Sequence, residues 1–320
     1  MRNTTRWKFD DFLEPHATAA APSAPILGMN DATAAVVVPI IAYWALSLFY
    51  ETASFFNWFA AHRAHPTSEE KRRNLVTRWQ TFVNVVTNHA IQLIFSFAVI
   101  HISGPSEAAP AWGELGSLEY FGLAIQKSFP AVTRTPQVLW LAAQSLRWAW
   151  LVFRQLVAFF AFDTWEYWMH YTLHVVPWLY RNIHSVHHHN YLPYSYAASY
   201  NHPLEAFFNE VIGSFLAIMV AGLGDREAMV FLTMATVKAV EDHAGVALPY
   251  SPLRLWGWFF GNDMVFHNVH HQIWGLKSNF ALYFMFWDRW NHTVYEGKRR
   301  LTEATEYQPA NLDRKGKKDN

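Results

Sequence analysis

The segment His-Asn-Val-His-His-Gln at 267–272 sets three imidazoles within five residues, beside Phe266 and Val269. "HSVHHH" at 184–189 has the same spacing, so that His184, His187 and His188 correspond to His267, His270 and His271. His170 and His174 are four apart, and on a continuous helix both rings leave one face. His202 and His243 stand singly. A lone histidine at such a position is ordinarily a structural residue, but a set this large poses an electrostatic problem. Protonated together the rings repel; neutral and unpaired beside apolar surface, each forfeits hydrogen bonds at about 1–3 kcal/mol. Metal coordination resolves both, because it uses the neutral nitrogen lone pair and ties several rings to one centre. Cys is absent, which excludes disulfides, iron–sulfur clusters and thiolate zinc sites. The candidate ligands, His170, His174, His184, His187, His188, His202, His243, His267, His270 and His271, exceed the four of a zinc site and suit two ions with positions left open. Spacing leaves zinc, iron, copper and nickel all possible. Asp163 and Glu166 precede His170 by seven and four residues, Asp263 precedes His267 by four, and Asp242 adjoins His243. These carboxylates are the candidates to orient rings through the nitrogen that faces away from the metal. No catalytic residue beyond the ligands is assigned.

The elements that must position this set are those of a membrane protein. Of 320 residues, 52% are hydrophobic and only 16% charged, against about 25% charged in a soluble domain. Lys and Arg number 25, as do Asp and Glu, and there is no basic-aromatic stripe, so nucleic acid is excluded as a partner. Residues 32–50 are uncharged and match the ~20 that cross a bilayer. Residues 79–102 make a second span, with a polar face of Asn84, Asn88, His89 and Gln92, and 137–162 a third, interrupted by Arg147 and Arg154. Residues 206–222 and 227–240 read as two shorter apolar helices joined by "GLGDRE", a re-entrant hairpin. Basic residues crowd the loop 62–78, which the positive-inside rule assigns to the cytosol. Counting spans from there puts every histidine cluster, and the C-terminus, on the cytosolic side. The ending Lys317-Lys318-Asp319-Asn320 resembles a dilysine retrieval signal, implying the endoplasmic reticulum membrane. No cleaved signal peptide is expected. The expected organisation is a flexible segment 1–31, a transmembrane hairpin with loops 32–136, a catalytic domain 137–297 and a basic tail 298–320.

Taken together, "D-x-x-x-Y-x-x-H" at 163–170, "HSVHH" at 184–188, "NHPLE" at 201–205, "EDHAGVALPY" at 241–250 and "HNVHHQIWGLKSNF" at 267–280 resemble the membrane fatty acid hydroxylase superfamily. "DHAGVALPY" and "HHQIWGLKSNFALYFMFWDRW" favour its sphingoid-base 4-hydroxylase branch. The resemblance implies an all-α membrane bundle under a cytosolic helical cap. It also implies a non-haem di-iron monooxygenase fed by NADH through a cytochrome-b5-type partner, hydroxylating a long-chain lipid in the bilayer with dioxygen. Carried over, it makes the histidines named above iron ligands, with His189 a bystander, and Tyr171 departs from the Arg common after the first histidine. The expected reaction is 4-hydroxylation of a sphingoid base. The alternatives are a sterol or other lipid methyl oxidase or desaturase of the same superfamily, and a non-enzymatic metal-binding or metal-transport membrane protein.

Overall fold

The computed structural model describes residues 25–65, 72–103, 118–129, 136–248 and 250–297, and among these it is helical with no strand. The N-terminal stretch, most of the loop 105–136 and the tail with Lys317 and Lys318 lie outside the described residues. Among the described residues, five long helices build the bundle. Helix α1 (Asp31–Phe55) starts where Asn30 Oδ1 accepts from Thr33 N at 2.8 Å. Its buried residues, among them Ala35, Pro39, Tyr43, Ser47 and Tyr50, form one narrow stripe, while Ile41, Leu48 and Phe49 face outward. Helix α2 (Arg78–Ser103) follows the same rule, exposing Ile94, Phe97 and Ile102. A helix apolar on its outer face as well as its inner one is solvated by lipid rather than water. After the short α3 (Leu118–Ser128) comes α4 (Pro136–Val175), 40 residues and therefore about 60 Å long, twice the ~30 Å hydrocarbon core. Its last turns carry His170 and His174.

A short helix, α5 (Pro177–Asn182), leads into the second histidine segment. The expected hairpin is present, with longer arms than the charge pattern suggested: α6 (Pro203–Ala221) and α7 (Asp225–His243) are 19 residues each. Three helices, α1, α2 and α6, are long and apolar enough to cross a membrane. The third is the hairpin's first arm, because Arg147 and Arg154 lower the apolar character of the stretch of α4 read as a span from sequence. Arg154 turns inward: its Nε donates to Ala221 O at 3.1 Å and its Nη1 to Glu227 at 2.9 Å, so the charge caps the end of α6. Gly222 makes the reversal in the left-handed region (φ 60°), where a side chain would be strained. Helix α7 packs along α1, and α6 along α4. The last elements, α8 (Pro252–Phe260), α9 (Met264–His271) and α10 (Phe286–Trp290), form a cap in which α9 packs on α7, Trp256 of α8 lies against Phe159 of α4 and Phe286 of α10 against Phe160.

The direction of each helix brings the C-terminal ends of α1, α4 and α7 and the N-terminal ends of α2 and α6 to one end of the bundle. Asn88 on α2 donates to Ser199 O and Asn201 O, Ser195 donates to Ser47 O, and Leu75 N donates to His189 O. The opposite end is tied by Arg226 on Asp31 at 2.9 Å.

The crossing of α4 and α6 depends on Gly213. A methyl group there would stand 2.5 Å from Trp165 Cδ1, and that indole is itself held by donation to Phe208 O. Gly213→Ala is expected to destabilise the protein by about 1–3 kcal/mol, read as a lower melting temperature in detergent; an unchanged transition would show that the crossing is loose.

Candidate metal centre

Four segments supply the imidazoles. His170 and His174 come from the last turns of α4, His184, His187 and His188 from the 3-10 helix His184–His189, His243 from the last turn of α7, and His267, His270 and His271 from α9. They gather into two sets: His170, His174, His184, His188 and His270 in one, and His187, His243, His267 and His271 in the other, each with its nitrogens within 4.8 Å of one another. The sets adjoin, with the rings of His188 and His271 5.0 Å apart. The two similar segments divide in opposite senses. His184 and His188 serve the first set and His187 the second, whereas His267 and His271 serve the second and His270 the first. Each segment therefore reaches both centres.

The rings are aimed from behind. The Nδ1 of His170 donates to Phe280 O at 2.7 Å, that of His270 to Ser278 O at 2.7 Å and that of His243 to Ala239 O at 2.7 Å. His187 Nδ1 uses Tyr200 O and His271 Nδ1 uses Asn190 O, both at 3.1 Å, and His184 Nδ1 lies 2.6 Å from Glu205. A ring that donates through Nδ1 presents the lone pair of Nε2 at the other side. Those lone pairs converge. His188 Nε2 lies 3.2 Å from His174 Nε2, 3.1 Å from His184 Nε2 and 3.2 Å from His270 Nε2, and a single proton cannot serve three such pairs. In the second set His267 Nε2 is 3.0 Å from His243 Nε2 and 3.1 Å from His271 Nε2. Ligand nitrogens at right angles on a metal with ~2.1 Å bonds stand about 3.0 Å apart. His170 Nε2 is buried with no hydrogen-bond partner, as a waiting ligand would be. The donor set therefore fits two metal ions bound by neutral imidazoles. Burial holds the rings in that form, pushing His184 down to about 3 and His187 to about 4.

The other expected residues fall in different places. His202 is in neither set; it caps α6, its Nδ1 accepting from Leu204 N at 3.2 Å. His189 contributes only its carbonyl, to Leu75. Among the described residues none of Asp163, Glu166, Asp242 and Asp263 is hydrogen-bonded to a ring. Asp163 Oδ1 accepts from the N–H groups of Leu282, Tyr283 and Phe284, pinning the strip whose Phe280 carbonyl holds His170. Asp288 receives Phe280 N and Ala281 N in the same strip. Asp242 pairs with Lys238, and Asp263 caps α9. Glu166 faces the cavity described below. The carboxylate that does meet a ring is Glu205, within "NHPLE" but unassigned by spacing, since nothing along the chain relates it to His184.

Beneath the histidines lies a cavity of about 350 Å³, within the range of small-ligand sites. It runs between α1, α2, α6 and α7, from Ala32 and Ile100 at the far end to His170, His187 and His243 at the near one. The lining is mostly apolar, and a slot of this form accommodates an alkyl chain.

A family model described as fatty acid hydroxylase matches residues 155–293, the stretch containing all nine converging histidines. The chain is 33% identical to the sphingolipid C4-hydroxylase of Saccharomyces cerevisiae, over 92% of this chain and 80% of the relative. It is 31% identical to a sphinganine C4-monooxygenase of Arabidopsis thaliana, over 89% and 97%. A very-long-chain aldehyde decarbonylase of Oryza sativa is 28% identical over 88% and 96%. No solved structure matches the chain.

His188 is the hub of the five-membered set, so His188→Ala should lower the metal content of the purified protein by about half while the four-membered set stays loaded. Metal content equal to the wild type, by plasma mass spectrometry, would contradict the centre as drawn. In the metal-free protein the depressed imidazoles make stability rise with pH. Their contribution is complete above about 6.5, the unfolded value, and declines as pH falls toward 4 and 3, because the unfolded chain takes up protons first. Melting temperatures of chelator-treated protein between pH 8 and 5 should fall with acidity; a flat profile would mean that the rings are already charged.

Proposed function

The chain belongs to the fatty acid hydroxylase family and is an oxidoreductase acting on lipid, and from that premise we propose that it is a di-iron monooxygenase that hydroxylates a sphingoid base at carbon 4. His170, His174, His184, His188 and His270 would hold one iron and His187, His243, His267 and His271 the other. When bound, the pair supplies the electrons that activate dioxygen for insertion into a carbon–hydrogen bond. The electrons would come from NADH through a cytochrome-b5-type partner. Residues 137–297 form the catalytic domain in this reading, and 32–136 its membrane anchor. The active end faces the cytosol of the endoplasmic reticulum membrane, as the basic loop 62–78 and the ending Lys317-Lys318 suggest.

The observation that carries the reading is the union of two imidazole sets with a lipid-length apolar slot. A transporter places its ligands along a pathway across the bilayer, whereas these lie at helix ends and in the cap. The protein's own contribution is position. Backbone carbonyls fix the rings, and the strip 280–284, pinned by Asp163 and Asp288, covers His170 and shields the site from water. Every methylene of an alkyl chain is chemically alike, so choosing one depends on holding the lipid in near-attack geometry.

Purified protein given dihydrosphingosine, NADH and the reductase and cytochrome of the redox chain is expected to yield the 4-hydroxy product. A complete absence of that product, with a methylsterol or a long-chain aldehyde consumed instead, would replace the substrate.

A further inference from the structure

The cavity is mostly apolar along its length, with scattered polar residues such as Gln92, Ser96, Ser214 and Asp225, and polar side chains gather where it meets the histidines. Among the side chains at that end are Glu166 on α4, and Glu205, Asn209 and Glu210 on α6. Glu166, Glu205 and Asn209 are 4%, 5% and 8% exposed. Glu166 Oε1, Glu205 Oε2 and Asn209 Oδ1 are buried without a hydrogen-bond partner among the described residues, although all three residues line the cavity. Glu205 and Glu210 are near enough to Glu166 to repel it. The one lysine in the lining, Lys238, is taken by Asp242 and also donates to Asn262. Asn201 donates to Glu210 Oε1 at 3.0 Å, the one donor to that carboxylate among the described residues. What the group lacks is positive charge with several N–H donors. Buried acceptors left this way are costly, and a ligand that supplies both charge and donors removes the cost.

The backbone is adapted to the same end. Residues Phe207–Ile212 form a π-helical turn, a geometry rare in helices and concentrated at functional sites. It follows the turn that carries Glu205 and itself carries Asn209 and Glu210.

We propose that Glu166, Asn209 and Glu210 form a subsite for the protonated amine of a long-chain amino alcohol, a reading that rests on the lipid hydroxylase function above and specifies how its substrate is held. Glu166 is one helical turn, about 5.4 Å, before His170, so an amine bound there presents to the metal centre a carbon only a few bonds away. The tail then lies along α1 between Tyr43 and Ala32, about 17 Å of apolar wall. An N-acylated lipid carries no cation and leaves the carboxylates without a counter-charge, so the subsite selects the free amine.

Binding of dihydrosphingosine and of N-acetyl-dihydrosphingosine to the metal-loaded protein in nanodiscs, followed by tryptophan fluorescence, tests this without turnover. The free amine is expected to bind at least about tenfold tighter. Glu166→Gln and Glu210→Gln should each bring the two affinities to within about threefold by weakening the amine alone, with metal content and melting temperature as in the wild type. Equal affinities in the wild type, or a ratio unchanged in both variants, would overturn the proposal, as would loss of metal in Glu166→Gln, which would make that residue a ligand. If one variant fails to fold, the other and the wild-type ratio decide. A protein that discriminates as expected yet oxidises no lipid keeps the subsite and loses only the hydroxylase reading.

Discussion

The structure depends on the convergence of neutral imidazole lone pairs that nothing in the protein itself can satisfy. Around His188 three other Nε2 atoms stand within 3.2 Å, and around His267 two stand within 3.1 Å. Hydrogen bonding cannot close such a cluster when six of the rings already use Nδ1 on Phe280, Glu205, Tyr200, Ala239, Ser278 and Asn190. Cations at the two centres would use those lone pairs, so metal binding is expected to stabilise the folded cap.

The rest of the fold serves that constraint. Helix α4 delivers His170 and His174 from its last turns, and α7 ends on His243 at the same end of the bundle. The cap then needs a rigid return path. Asp163 and Asp288 provide it by accepting five backbone N–H groups between residues 280 and 284, which fixes Phe280 O behind His170. Arg154, which in an apolar helix looks out of place, ties α4 to the far end of the hairpin through Ala221 O and Glu227. The cavity is what remains between helices held apart in this way, and its inner end carries the carboxylates that hydrophobic packing alone would have excluded.

Much of this was legible along the chain, and some was not. The spans over α1 and α2 follow from uncharged runs of the right length, and the hairpin turn from its glycines, because hydropathy and turn chemistry are local. The full length of α6 was harder to read, since Glu205 and Glu210 interrupt its apolar pattern and their reason lies in the cavity. His202 differs from the other expected ligands: it stands in neither set, and its Nδ1 caps the start of α6. Asp163 precedes His170 by two turns and yet acts on it only through a strip more than a hundred residues away.

By itself the sequence determined the number, type and spacing of the imidazoles, the absence of thiolates and the membrane character of the helices, all properties of composition and short-range periodicity. Tertiary structure decided how the two similar histidine segments divide between the sets, that Glu205 backs His184, and where a polar pocket opens in an apolar slot. Those depend on which carbonyl or carboxylate arrives behind each ring from a distant part of the chain, and no local pattern encodes that meeting.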